Sequence, residues 1–171
     1  MEPQEQPVKD IWILRKGEGV KTLACTIGCF DLLHPGHLDF LSAAAIEADD
    51  LIVGTPADMI FINLKGRPPI MTAEERCEIL ESLIMVSAAE VLPSLDYAAW
   101  VDRLRPSVLV MSVDHTADRF DRAAARVMSY GGRVVRLERS PRGSTSEIIE
   151  RIASHARQDV LLCRDFHGDG A

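Results

Sequence analysis

Positively charged residues are scarce in this sequence. Of its 171 residues, 19 are Lys or Arg and 26 are Asp or Glu, which gives a net charge of −7 with histidine neutral. Proteins that bind nucleic acid without specificity rely on clustered Lys and Arg to displace counterions from phosphates. The acidic balance therefore argues against a general nucleic-acid-binding function.

Long hydrophobic runs are also lacking. The longest stretch free of Asp, Glu, Lys and Arg extends from Thr22 to Phe30, well short of the ~20 residues that a membrane-spanning helix needs. The opening segment MEPQEQPVKD is polar and acidic, unlike a signal peptide. We therefore expect no membrane association and a cytoplasmic location.

Cysteines are few, and no two of them form a C-x-x-C pair. The chain contains Cys25, Cys29, Cys77 and Cys163. Zinc ribbons and dithiol sites require closely paired cysteines, so neither is indicated. Buried free thiols in a reducing compartment are the expectation.

What the sequence does contain is a regular alternation of apolar strands and amphipathic helices. Hydrophobic residues make up 47% of the chain, and the length suits one domain. Strands are predicted over 22–27, 51–55, 86–92, 108–113 and 133–137. Helices are predicted over 36–48, 72–84, 94–104, 118–130 and 146–155. A Thr72–Glu75 capping box is predicted to open the second helix, and Ser94 is predicted to cap the third. This order predicts an α/β fold whose five-stranded parallel sheet is covered by helices on both faces.

The edges of this domain follow from composition. Residues 1–20 contain interrupting prolines and glycines and are interpreted as an N-terminal extension. Residues 21–157 form the predicted domain, and 158–171 are interpreted as a C-terminal tail. In parallel sheets, ligands bind at the carboxyl ends of the strands, so functional residues should follow the strands.

A histidine-rich turn follows the first predicted strand. It has the sequence Gly28-Cys29-Phe30-Asp31-Leu32-Leu33-His34-Pro35-Gly36-His37. Gly36 permits close approach of a ligand, and a helix N-terminus offers free N–H groups and a positive dipole end. Imidazoles at this place can stabilise charge on a transferring phosphoryl group. A metal site is the alternative, although spacing reveals no third ligand.

This turn strongly resembles the H-x-G-H motif of the cytidylyltransferase-like nucleotidyltransferases. The resemblance extends from about Lys21 to Ile152 and implies a Rossmann-like three-layer α/β/α sandwich. The segments L-K-G-R-P at 64–68, Glu75-Arg76 and G-G-R-V-V at 131–135 are most similar to the adenylyltransferase domain of bacterial heptose biosynthesis enzymes. Glycerol-3-phosphate cytidylyltransferases are the next most similar family.

The resemblance assigns roles to residues of the chain. It implies catalytic roles for His34, His37 and Lys65, the last being placed in a loop. It implies acceptor binding by Asp58, Lys65 and Arg76. It implies nucleotide binding by Gly28, Cys29, Phe30, Asp31, Gly36, Asp114, Arg139, Ser144, Thr145 and Ser146. It assigns no residue to a metal.

Two segments depart from the family pattern. In R-S-P-R-G-S-T-S at 139–146, Arg142-Gly143 replaces a Gly-Ile pair of the signature. After the fourth strand the relatives usually carry Lys-Gly-Gly-Asp, whereas this chain has Met111-Ser112-Val113-Asp114. His115, which comes next, is interpreted as a loop histidine facing solvent, with a new substrate contact as the alternative.

These observations predict a nucleotidyltransferase. It would transfer a nucleoside monophosphate, AMP rather than CMP, from a triphosphate to a sugar or polyol phosphate, with Mg²⁺ present and pyrophosphate released. The resemblance also implies a homodimer. One alternative is a cytidylyltransferase acting on a glycerol- or alcohol-phosphate. Another is a nucleotide-binding interaction module without catalysis.

Overall fold

The computed structural model describes residues 21–165 of the chain, with strands and helices alternating throughout. The strands are β1 (Leu23–Ile27), β2 (Asp50–Pro56), β3 (Ala88–Leu92), β4 (Val108–Ser112) and β5 (Arg133–Leu137). The helices are α1 (Pro35–Ala45), α2 (Asp58–Lys65), α3 (Ala73–Glu81), α4 (Tyr97–Leu104), α5 (Asp118–Ser129) and α6 (Thr145–Asp165).

The five strands form one parallel sheet in the order β3-β2-β1-β4-β5. β1 is central, with Cys25 opposite both Ile52 and Leu109. The chain moves outward from β1 to β3 and then crosses to β4 on the other side. Between β1 and β4 the winding direction therefore reverses, which is where a ligand crevice opens in such sheets. The predicted five-stranded parallel sheet is confirmed.

Each face of the sheet has its own apolar core, because alternate strand residues point to opposite faces. On one face, Cys25 of β1 packs in a cluster with Trp100 of α4 and Phe120 of α5. On the other face, Ala24 of β1 packs in a cluster with Leu41 of α1 and Leu80 of α3. The sheet is thus the middle layer of three, as predicted.

Three local predictions were wrong. Lys65 is not in a loop but is the last residue of helix α2. The sequence contains little indication of this helix, because it has only eight residues and its N-cap, Ala57, has no capping side chain. The N-cap of α4 is Asp96, whose carboxylate accepts from the Ala99 N–H, and not Ser94. α6 continues to Asp165, beyond the predicted end of the last helix at 155.

The capping box at the start of α3 is confirmed. The Thr72 hydroxyl accepts from the Glu75 N–H, and the Glu75 carboxylate accepts from the Thr72 N–H. The predicted extension over 1–20 lies outside the described residues. Among the helices of residues 21–165, none is long and apolar enough to cross a membrane.

Candidate active site

A cavity of about 680 Å³ opens at the carboxyl ends of the strands and collects most of the predicted site residues. Its volume lies within the range typical of small-molecule sites. The predicted residues that line it are Gly28, Cys29, Phe30, Asp31, His34, Gly36, His37, Lys65, Asp114, Arg139, Ser144, Thr145 and Ser146. Two others, Asp58 and Arg76, do not line it.

The two imidazoles of the histidine turn stack on each other in this cavity. The His34 and His37 ring centroids are 3.7 Å apart, with 27° between the ring planes. Each Nδ1 is buried, and neither finds a hydrogen-bond partner among the described residues. Both residues line the cavity. Unpartnered buried polar atoms are rare in proteins and call for an explanation, such as a ligand.

Both histidines are held in the neutral form at pH 7. Burial lowers the pKa of His37 to about 4, and the neighbouring His34 imidazole lowers it further. Burial and the nearby Arg139 guanidinium lower the pKa of His34. A neutral imidazole carries one N–H, so each ring can donate one hydrogen bond to an anion without being charged.

Glycine is required at position 36 because two groups crowd it. A Cβ there would stand 3.1 Å from the His34 ring and 3.2 Å from the Gly143 carbonyl oxygen. The Gly36 N–H donates to the Arg142 carbonyl at 3.1 Å. The turn that opens α1 is thereby docked against segment 139–146, which we call the serine loop.

The serine loop is fixed by hydrogen bonds of its own. The Thr145 hydroxyl donates to the Asp31 carbonyl at 2.7 Å. Ser144 and Glu147 cap the start of α6 reciprocally, each N–H donating to the other's side chain. None of the hydrogen bonds within residues 21–157 uses the Ser146 hydroxyl. Of the three predicted phosphate-binding hydroxyls, Ser146 is thus the least committed to the fold.

Asp31 anchors the opposite rim of the cavity. Its carboxylate is 2% exposed and accepts from the backbone N–H groups of Ile70 and Met71 at 3.0 and 3.1 Å. Arg67 pairs with the same carboxylate at 3.2 Å. The side chain is therefore occupied in holding segment 67–71, and its contribution to nucleotide binding stays a prediction.

Arg76 is buried outside the cavity lining, where its side chain forms hydrogen bonds to several segments of the chain. Its guanidinium is 1% exposed and donates to the Cys29 carbonyl, the Thr55 hydroxyl, and the Asp58 carboxylate at 2.6–2.8 Å. It also donates to the Pro56 carbonyl. These bonds tie β1, β2 and α2 together. Acceptor binding by Arg76 and Asp58 stays a prediction, and the geometry gives the pair a structural role.

Sequence reasoning missed one wall of the cavity, which is formed by Tyr97, His115, Arg119 and Phe120. The prediction that His115 faces solvent was wrong, because its ring stacks on Phe120 with centroids 4.1 Å apart and 10° between planes. Burial lowers the pKa of His115 to about 4. Their position in the sequence could have indicated this wall, because His115, Arg119 and Phe120 follow β4, and ligand-binding residues are expected after the strands.

No preformed metal site accompanies this cavity. Among the side chains described, those of residues 21–157, no group of three or more His, Cys, Asp or Glu could hold a metal ion. The residues present therefore do not fit a resident Mg²⁺ held by protein ligands alone. Triphosphate oxygens can bind Mg²⁺ themselves, so the ion would enter with the nucleotide.

The family model for cytidylyltransferase-like proteins matches residues 25–151. This segment contains the whole histidine turn and the whole serine loop. The chain belongs to the cytidylyltransferase-like family of nucleotidyltransferases. The resemblance inferred from the sequence is thereby confirmed. The matched segment includes most of β1, all of the other four strands and every residue assigned above to the cavity.

Curated relatives of this family are named bifunctional protein HldE. The chain is 34% identical to the one from Syntrophotalea carbinolica, over 90% of the chain and 31% of the relative. It is 38% identical to the one from Acidiphilium cryptum, over 75% of the chain and 26% of the relative. The chain thus spans less than a third of the length of these relatives.

Solved structures share the cytidylyltransferase-like fold at lower identity. A lipopolysaccharide core biosynthesis protein from Thermoplasma volcanium superposes with a TM-score of 0.60 at 23% identity, over 71% of this chain and 98% of that one. Thermotoga maritima TmcAL, bound with alpha-thio ATP, gives a TM-score of 0.52 at 14% identity, over 82% and 52%. At these identities the likeness shows the fold alone.

Proposed function

We propose that the chain transfers AMP from ATP to a sugar phosphate and releases pyrophosphate. The observation that carries this proposal is the stacked His34–His37 pair, which lines a cavity at the N-terminus of α1. Lys65 and Arg139 line the same cavity and supply positive charge. This is a site suited to phosphate oxygens rather than to an apolar ligand.

The proposed reaction is an in-line displacement at the α-phosphorus. An oxygen of the acceptor phosphate forms a bond to that phosphorus while the bond to the bridging oxygen of the β-phosphate breaks. The electron pair leaves with pyrophosphate. Because little covalent chemistry is asked of the protein, its residues act by positioning and by stabilising charge.

Each protein group has a place in this scheme. His34 and His37 donate hydrogen bonds to non-bridging oxygens of the α-phosphate as charge builds on them. Lys65 neutralises phosphates of both reactants. The serine loop, with the Arg139 guanidinium, holds the triphosphate next to the N-terminus of α6. Mg²⁺, arriving with the triphosphate, supplies further charge neutralisation when bound.

The preference for ATP and a sugar phosphate rests on resemblance. The segments Leu64–Pro68 and 131–135 are most similar to adenylyltransferase domains of heptose biosynthesis enzymes, and the curated relatives bear the name HldE. The homodimer and the cytoplasmic location stay predictions.

The test is a matrix of pyrophosphate-release assays. ATP, CTP, GTP and UTP are each combined with hexose and heptose 1-phosphates and with glycerol 3-phosphate, in the presence of Mg²⁺. Release that depends on ATP and a sugar 1-phosphate supports the proposal. Release only with CTP and glycerol 3-phosphate supports the cytidylyltransferase alternative. Nucleotide binding without release across the matrix supports the non-catalytic module.

A further inference from the structure

One arginine of the cavity wall stands apart from the others. Three arginines line the cavity, and two of them are paired, Arg67 with Asp31 at 3.2 Å and Arg139 with Asp114 at 4.0 Å. Arg119 forms no ion pair with any carboxylate in the described part of the chain. Its Nε is buried and finds no hydrogen-bond partner there. A buried guanidinium N–H without an acceptor is costly unless a ligand supplies one.

Aromatic rings hold this guanidinium in place. Arg119 lies over the Phe120 ring at 5.2 Å and over the Tyr97 ring at 5.8 Å, measured to the centroids. Cation–π contacts orient an arginine, and a side-chain hydrogen bond between Arg119 and Tyr97 adds to them. The Nε–H, which has no partner among the described residues, keeps its capacity to donate to a phosphate or carboxylate oxygen beside a parallel N–H of the same planar guanidinium.

His115 provides a further donor beside Arg119. Its ring stacks on Phe120, and its Nδ1 accepts from the Ser112 N–H at 3.3 Å. Because Nδ1 accepts, the proton of the neutral ring is on Nε2, which is a donor. His115 and Arg119 thus present N–H groups from the same wall.

Two cations of the cavity lining, Lys65 and Arg119, act on this wall, and Cys29 and His115 line the same cavity. Burial raises the pKa of the Cys29 thiol, and Lys65 and Arg119 both oppose that rise. Burial lowers the pKa of His115, and the same two cations lower it further, whereas Asp114 raises it. Met111, which precedes this wall on β4, is buried in the core and contributes no charge.

Arg119 and the serine loop belong to opposite faces of the sheet. Phe120, next to Arg119, packs in the core on the α4–α5 face. The serine loop docks on Gly36 of α1, which belongs to the other face. In an in-line transfer the attacking oxygen approaches from the side opposite to the leaving pyrophosphate. A phosphate on the Arg119 side is thus placed to attack a nucleotide whose triphosphate lies along the serine loop.

We propose that Arg119, assisted by His115 and by Lys65 of the same cavity lining, binds the phosphate of the acceptor. This inference rests on the proposed nucleotidyl transfer and gives the acceptor's anion its own site. Arg119 is then a residue that determines acceptor affinity, and the triphosphate is held elsewhere.

The test measures anion binding directly. The full chain is saturated with a non-hydrolysable ATP analogue and titrated by calorimetry with inorganic phosphate, which stands in for the acceptor group. We expect the Arg119→Met variant to bind phosphate about tenfold or more weakly than the wild type, with affinity for the analogue unchanged. Arg122→Met is the matched control, because Arg122 is exposed on the same helix and pairs only with Asp118.

The outcomes separate this inference from the proposed function. Equal phosphate affinity in Arg119→Met and wild type overturns it, as does a wild type that binds no phosphate. If the analogue does not bind the wild type, the proposed function fails, while the titration of analogue-free protein still tests Arg119. Should Arg119→Met unfold, Arg119→Lys keeps the charge but loses the parallel donors, and its phosphate affinity is expected to fall several-fold at an unchanged melting temperature. An unchanged affinity there overturns the inference as well.

Discussion

The imidazole of His34 lies against that of His37, with 3.7 Å between their centroids. Two imidazolium cations at this separation would repel strongly, and both rings are largely removed from water. The contact therefore stabilises the neutral form of each ring. Both rings line the cavity, where a bound anion can accept hydrogen bonds from them.

The first prediction concerns the titration of the buried histidines. We expect His37 and His115 to titrate near pH 4 in the ligand-free protein, because burial disfavours their charged forms. Two-dimensional NMR of the histidine ring resonances checks this value. A midpoint near 6.5 for His37 would show that the ring is solvated and that the stacked arrangement does not persist.

A stability effect follows from the same shift. Between pH 6.5 and about 4 the unfolded chain binds protons at His37 and His115 that the folded chain does not bind. The free energy of unfolding should therefore fall as the pH is lowered through this window. Urea unfolding of the wild type and of His37→Gln/His115→Gln checks it, with a smaller dependence on pH expected in the double variant. Equal slopes in the two proteins would contradict the assignment.

The second prediction concerns Gly36→Ala. The added Cβ would meet the His34 ring at 3.1 Å and the Gly143 carbonyl at 3.2 Å, so the serine loop must move away from α1. We expect kcat/KM for pyrophosphate release to fall about 10-fold to 100-fold, because a displacement of about 1 Å misplaces the reacting groups.

Gly131→Ala is the control for this substitution. Gly131 has a φ of +89° and open space around it, and it lies at the end of the sheet opposite to the cavity. An alanine there costs about 1 kcal/mol of stability through backbone strain alone. Activity should remain at the wild-type level. Equal activity losses in the two variants would indicate general destabilisation rather than a displaced loop.

The third prediction concerns Arg76→Met. Removing the buried guanidinium takes the donor away from the Pro56 carbonyl, the Thr55 hydroxyl and the Asp58 carboxylate, and leaves the Cys29 carbonyl with only the Thr55 hydroxyl. We expect the free energy of unfolding to fall by about 3 kcal/mol or more, measured by urea denaturation. A variant of wild-type stability with a raised KM for the acceptor would instead support the substrate role that the sequence resemblance implies.

The sheet and its helices were predictable because hydrophobic periodicity is a local property. β1, β2 and β4 are short apolar runs, and the Thr72–Glu75 capping box marks the start of α3. The order of these signals suffices to predict a parallel α/β fold. α2 escaped detection because it is short and begins without a side-chain cap.

The site was predictable only where residues are contiguous in sequence. The histidine turn and the serine loop each carry their signal within about ten residues, and the structure brings both to one cavity. Arg119 and Tyr97 come from different helices and meet through tertiary packing, so no local pattern relates them. Arg76 donates hydrogen bonds to buried acceptors from distant parts of the sequence. Its structural role therefore could not be predicted from the residues next to it in the chain.

The most direct test of the account is the turnover of His37→Ala beside that of His155→Ala. His155 is exposed on α6 and lies outside the cavity lining, so its loss should leave pyrophosphate release unchanged. With ATP and the best acceptor of the assay matrix, His37→Ala should lower kcat by about 10²-fold or more while retaining its fold. A His37→Ala protein that is folded and turns over at the wild-type rate would contradict the central claim, because the stacked pair would then have no part in the transfer.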